Sequence, residues 1–153
     1  MTQEELKQYL ADNYPELAAT EINSKIVNLE CPRDKVHIVS EKLKSDEKLH
    51  FDYLFCQTAI DWPEFLEVIY HLRSSDLYHE MVMRVKTDGR EKPEVDTVCD
   101  IWRTAEFHER EIYDLFGVVF KNHPDLRRIL LEDDRIGHPM RKDYVDEVNM
   151  IEL

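Results

Sequence analysis

The stretch from Leu66 to Lys86 constrains the fold more than any other part of the chain. Leu66, Val68, Tyr70 and Leu72 alternate through FLEVIYHLR, and alternation resumes in LYHEMVMRVK after Ser74, Ser75 and Asp76. FLEVIYHLR taken alone fits a helix or a strand, but a period of two puts one set of side chains on one face of a strand and the Ser-Ser-Asp run supplies turn residues into a second alternating segment, so the choice is strand and a β-hairpin is expected. Its apolar face has to be covered by other elements.

Those elements are legible on both sides of the hairpin. Residues 3–14 place Leu6, Tyr9, Leu10 and Tyr14 on one face of a short helix that stops before Pro15. INSKIVNLE reads as a strand, with Ile22, Ile26 and Val27 among its β-formers. Pro32 suits the first turn of a second helix, along which Val36, Val39 and Leu43 recur at helical spacing. A strand follows at FDYLFCQTAID, Phe51 to Asp61, and TDGREKPEV interrupts regular structure with Gly89 and Pro93. A third helix is expected from an N-cap at Thr104 to Gly117, with Ala105, Phe107, Ile112, Leu115 and Phe116 as its apolar stripe. The expected fold is α+β: a two-layer domain over residues 1–120, its mixed, mostly antiparallel sheet covered by helices and including the Thr104–Phe116 helix, followed by an extended C-terminal tail over residues 121–153.

Composition removes several classes of function. A chain of 153 residues with 42% hydrophobic and 35% charged residues suits one well-packed domain. Its formal net charge of −13 opposes contact with a phosphate backbone. No window approaches the ~18–20 apolar residues of a membrane span, and the acidic start MTQEELKQYLADNYPEL lacks the basic-then-apolar order of a signal peptide. Cys31, Cys56 and Cys99 form no CxxC pair, so neither a zinc ribbon nor a self-contained iron–sulfur site can be drawn from thiolates; they read as small interior hydrophobes of a reducing compartment.

Chemistry-bearing residues crowd into His108–Leu131, HEREIYDLFGVVFKNHPDLRRILL. On a helix Glu109, Arg110 and Glu111 fan over about 200° of surface, which argues against a paired acid and base. Arg110 and Glu111 lie within one turn of Asp114, so an intrahelical ion pair explains Arg110 with Asp114, while Glu109 and Glu111 stay free to accept bonds from a partner chain. His108, His123 and His138 lack the HExxH spacing of a helix-borne zinc site, and the two His-Pro pairs favour backbone bonding; no metal ligand is assigned. With no Gly-x-Ser-x-Gly elbow, no cysteine–histidine signature and only three scattered glycines, no catalytic residue is assigned either, although His138 and Tyr144 could transfer protons in an independent small enzyme. A free-standing acidic binding module is a further alternative. In the tail, Arg127, Arg128, Arg135, Arg141 and Lys142 interleave with acids and with Leu126, Ile129, Leu130, Ile136 and Met140, a composition suited to an interface.

EREIYDLFGVVFKNHPDLRRIL, Glu109 to Leu130, resembles the signature of the 30 kDa subunit family of respiratory complex I, the C-type subunits of bacterial NADH–quinone oxidoreductase. GHPMRKDY, Gly137 to Tyr144, looks like that family's second block, and FDYLFCQTAID resembles its central strand. Phe107 and Arg135 stand where the family commonly has tryptophan, and Val145 replaces a frequent proline. The resemblance implies a cofactor-free scaffold on the cytoplasmic side of the bacterial inner membrane, in the quinone-reducing module of a proton-translocating enzyme. Its tail would pack on the 49 kDa-type D subunit and on the B and I subunits, with the iron–sulfur clusters, FMN, NADH and quinone held elsewhere in the complex. Relatives serve complexes fed by ferredoxin or another donor, which is the alternative. Under this resemblance the partner interface is expected at Glu109, Arg110, Glu111, Asp114, His123, Arg127, Arg128, His138, Arg141, Lys142, Asp143 and Tyr144.

Overall fold

The alternating segments form the centre of a five-stranded sheet. In the computed structural model, which describes residues 1–20 and 25–146, the expected hairpin consists of β4, Leu66–Arg73, and β5, Glu80–Lys86, paired antiparallel with Leu72 opposite Met81 and Tyr70 opposite Met83. Leu66, Val68, Tyr70 and Leu72 are all fully buried, as the period of two requires. β5 starts later than Leu77. Tyr78 adopts a left-handed φ of 56° in the turn, where its N–H bonds back to the Ser74 carbonyl and Ser74 closes the loop with His79.

Three further strands complete the sheet in the order β1-β2-β5-β4-β3. β3, Tyr53–Asp61, pairs antiparallel with β4 and carries a register shift between Leu54 and Cys56. β2, Val27–Glu30, runs parallel to β5, and β1, Ala18–Ala19, is a two-residue antiparallel edge. The sheet is thus mixed and mostly antiparallel. The strand expected from Ile22 is regular only from Val27; Ile22 to Ser24 lie outside the described residues.

Helices cover the face that holds Val68 and Tyr70. α1, Gln3–Asn13, begins with a reciprocal cap in which Thr2 Oγ accepts the Glu5 N–H and Glu5 accepts the Thr2 N–H, and it buries Leu6 and Leu10. Pro32 precedes a 3-10 turn, Arg33–Lys35, which leads into α2, Val36–Ser45, with Val36, Val39 and Leu43 buried. α3, Ala105–Phe116, packs along β3 and ends at Gly117 with φ 77°, the left-handed geometry that favours glycine.

Two details of α3 differ from the sequence reading. Thr104 does not cap the helix with its side chain; its hydroxyl donates to the Leu54 carbonyl and ties α3 to the β3 edge. Phe107 is 58% exposed, whereas Glu109 is completely buried. Ala105, Glu109, Ile112 and Phe116 form the inward stripe at i, i+4, i+7 and i+11, and Phe107 lies about 200° round the helix from Ala105.

The expected loop around Pro93 contains β6, Glu94–Asp96, which pairs in parallel with β7, Val119–Lys121, bringing buried Val95 beside buried Phe120. Runs of three residues are too short to show a period. Beyond β7, residues 122–146 contain turns and bends but no helix or strand. Among the described residues no helix is long and apolar enough to cross a membrane.

Candidate functional site: carboxylates beneath an extended tail

The tail is fixed to the domain by buried carboxylates that gather its backbone. Asp114, wholly buried near the end of α3, is the principal one. Its Oδ1 accepts Arg128 Nη1 at 2.7 Å, and its Oδ2 accepts the backbone N–H groups of Ile129, Leu130 and Leu131 at 3.1, 2.8 and 2.9 Å. Burial raises the Asp114 pKa, but the bonds from Leu131, Arg128, Leu130 and Ile129 outweigh it and hold the carboxyl below its usual range.

Arg128 spends its other donors on carbonyls of its own chain: Asp114 at 3.0 Å, Arg135 at 2.8 Å and Gly137 at 2.9 Å. Arg110, 8% exposed, bonds the carbonyls of Arg127 and Arg128 at 3.2 and 3.1 Å. The intrahelical Arg110–Asp114 pair expected from spacing is therefore replaced by two longer-range contacts. A planar guanidinium can bridge several acceptors at once, and here it joins two successive tail carbonyls.

A second anchor holds the chain farther on. Asp61, at the end of β3, is 4% exposed and accepts both Arg90 and, at 2.7 Å, the Lys142 N–H. Arg90 also approaches Asp143 at 3.2 Å, and Arg141 grips Asp143 through two nitrogens while donating to the Arg90 carbonyl at 3.1 Å. Arg141 and Arg90 hold the Asp143 carboxyl far below the ordinary range. His138 Nδ1 donates to the Asp114 carbonyl at 2.9 Å, and Tyr144 accepts from Arg135 at 2.8 Å, so the candidate proton-transfer pair is engaged in holding the tail.

Glu109 occupies a third, separate position. It is completely buried, where one oxygen accepts the Val98 N–H at 2.9 Å and the other the Thr97 hydroxyl. Burial pushes its pKa up to about 7 against those two bonds. The expectation that Glu109 is free to meet a partner does not hold, because it faces the interior. Cys99, Glu109 and His123 bring potential ligand atoms within 4.8 Å of one another. However, the Asp125 N–H donates to His123 Nδ1 at 3.0 Å, so the ring hydrogen sits on Nε2 and points to the Glu106 carbonyl at 3.0 Å. A metal ion there would have to displace that bond and those on Glu109.

These contacts lie within a stretch that known proteins share. A family model described as "Respiratory-chain NADH dehydrogenase, 30 Kd subunit" matches residues 29–148. The chain belongs to this family. A Phocaeicola vulgatus protein, named as the C/D subunit of NADH-quinone oxidoreductase, is 44% identical over 126 residues, which cover 82% of this chain and 24% of that protein, so the chain spans about a quarter of this relative. The C subunit of the Moorella thermoacetica NADH-quinone oxidoreductase is 40% identical over 139 residues, covering 90% of this chain and 91% of that one. Among solved structures, a chain of the membrane-bound sulfane sulfur reductase, an archaeal respiratory membrane complex, superposes with a TM-score of 0.79 at 26% identity, over 95% of this chain and 86% of that chain.

The residues singled out from the 30 kDa signature thus separate into two groups. Glu109, Arg110, Asp114, His123 and Arg128 are turned inward, His123 with a side chain of 0% exposure and Arg128 with 12%. Glu111, Arg127, Lys142 and Asp143 are exposed, while His138, Arg141 and Tyr144 are half-buried along the tail. Sequence reading missed Asp61, Arg90 and Thr97 as anchors. A helical wheel centred on Ala105, Ile112 and Phe116 would have placed Glu109 inside, but nothing local pairs Asp61 with residues about 80 positions away.

Proposed function

We propose that this chain is a cofactor-free assembly subunit of the quinone-reducing module in a proton-translocating NADH–quinone oxidoreductase. In this reading it lies peripherally on the cytoplasmic side of the bacterial inner membrane and is held by the D, B and I subunits. The iron–sulfur clusters, FMN, NADH and quinone belong to other subunits. The carrying observation is a tail that is tied down by buried acids yet turns apolar side chains outward: Leu130 is 62% exposed, Ile136 89%, Met140 55% and Val145 71%. Fixing the backbone in advance lowers the ordering cost of an interface, and exposed aliphatic groups give such an interface apolar contacts. The joint C/D name of the Phocaeicola vulgatus relative supports the D subunit as a partner. The exposed members of the expected interface, Glu111, Arg127, Lys142 and Asp143, provide its polar rim, and the inward-facing ones shape the tail beneath it.

Coexpression of the tagged chain with the B, D and I subunits of its own organism tests this reading. Affinity purification is expected to bring down partners with iron–sulfur absorbance, while the chain alone is colourless. A chain that carries a chromophore by itself and ignores those partners would overturn it.

A further inference from the structure

A groove of about 800 Å³, lined by none of Leu130, Ile136, Met140 and Val145, opens where α2, the segment after β6, the start of α3 and the turn after β7 meet. Ile38 on α2, 56% exposed, and Pro124 give it apolar walls. Its charge is one-sided: the carboxylates of Asp34, Asp96, Asp100 and Glu106 line it, with Arg103 as the one guanidinium among its lining residues. Asp100 is paired with His37 at 2.8 Å and Asp96 with Lys121 at 3.3 Å. The Asp34 and Glu106 carboxylates have no hydrogen bond or ion pair among the described residues.

An apolar cleft between unneutralised acids selects its occupant by charge, since a cation brought there gains attraction that the chain itself does not supply. The segments of this chain outside the described residues, EINS at 21–24 and EVNMIEL at 147–153, contain glutamate and no lysine or arginine. A second copy would bring another net charge of −13. Both are repelled by the same carboxylates.

We propose that this groove docks an extended segment of a partner chain that bears lysine or arginine. An apolar side chain of that segment rests against Ile38 and Pro124, and its cations lie between Asp34 and Glu106. The proposal rests on the assembly reading only in requiring a partner, and it defines a contact that does not use Leu130, Ile136, Met140 or Val145.

The test uses the complex purified from cells, with a photo-reactive benzoylphenylalanine in place of Ile38 or, separately, of Ile136 on the tail. At Ile38 the expected product is a cross-link to a lysine- or arginine-bearing stretch of another protein of the complex, identified by mass spectrometry. Adding Asp34→Lys and Glu106→Lys is expected to lower that yield roughly tenfold and to leave the Ile136 cross-link unchanged, because neither side chain bonds the tail and the Glu106 carbonyl that accepts His123 is retained. A link from Ile38 to a second copy of this chain, to a stretch without basic residues, or one indifferent to charge reversal overturns the proposal. Cross-linking at Ile136 with none at Ile38 overturns the groove alone. A basic cross-link at Ile38 with none at Ile136 sustains the groove and removes the tail interface, and silence at both positions removes both readings.

Discussion

Asp114 and Arg128 are 14 residues apart in sequence and 2.7 Å apart in space, and the carboxylate that binds the guanidinium also accepts three successive backbone N–H groups after it. One side chain on α3 thereby sets the course of the tail. Truncating either partner leaves the other buried without its counter-charge, a loss of about 3–5 kcal/mol in comparable pairs. Asp114→Ala is expected to abolish amide-exchange protection at Ile129, Leu130 and Leu131 while α1, α2 and the five-stranded sheet stay protected. Arg128→Ala is expected to weaken copurification with the D subunit proposed above as a partner, through the same loosening. Unchanged protection at the three amides in Asp114→Ala would remove the anchoring role.

The same carboxylate gives the tail an acid limit. The folded-state pKa of Asp114 is depressed, so its contribution is fully present above the unfolded carboxylate value of about 4 and is lost as pH falls through the lower folded value. Exchange at residues 129–131, corrected for intrinsic rate, should therefore stay constant from neutral pH to about 5 and accelerate only below about 4.

Glu109 behaves in the opposite sense. Its pKa is raised from 4.5 to about 7, so the folded protein holds a proton that the unfolded chain has released, and stability falls as pH rises between those values. Glu109→Gln removes that titration while retaining an acceptor for the Val98 N–H. Thermal unfolding should show the variant gaining on the parent protein from pH 4.5 to about 7, with a constant difference above. A pH-independent difference throughout would mean that Glu109 does not titrate in this window.

On the sheet, Glu67 is 3% exposed and bonds Arg84 through both oxygens at 2.9 and 2.8 Å, with Trp62 Nε1 at 2.8 Å. Burial raises its pKa, but Arg84 and Trp62 overcome that and keep it ionised below the usual range. Glu67→Ala strands a guanidinium whose side chain is 12% exposed, and urea unfolding should report a loss of about 3–5 kcal/mol. Glu67→Ala together with Arg84→Met should recover most of it, because an apolar replacement of both partners leaves no buried charge.

Gly117 ends α3 with φ 77°, and a Cβ there would stand 2.6 Å from Cδ2 of His138. Gly117→Ala therefore combines a left-handed penalty of about 1–2 kcal/mol with displacement of the ring that bonds the Asp114 carbonyl. Heightened proteolysis near His138 is expected, with the far-UV circular dichroism of the folded core unchanged.

The fold was largely legible because its informative segments are long enough to show a period. Val36–Leu43 repeats at helical spacing, Leu66–Leu72 fits helix or strand until the turn residues and the second alternating segment after it decide for strand, and Gly117 marks a helix end by its own conformational freedom. β1, β6 and β7 span two or three residues and pair with segments remote in sequence, so no local pattern announces them.

The signature residues were identified as a group by resemblance, but their direction was not. Adjacent charges on a helix look equivalent in sequence, whereas packing against β3 put Glu109 inside and left Glu111 in solvent. By itself the sequence determined the alternating sheet, the helical stripes and the family, since these depend on local periodicity and on residue identity. Only the tertiary structure decided which charges are structural. Burying Asp114, Asp61 and Glu109 costs free energy unless donors converge on them, and those donors come from Arg128, Arg90, Lys142 and Thr97, positions that folding alone brings together.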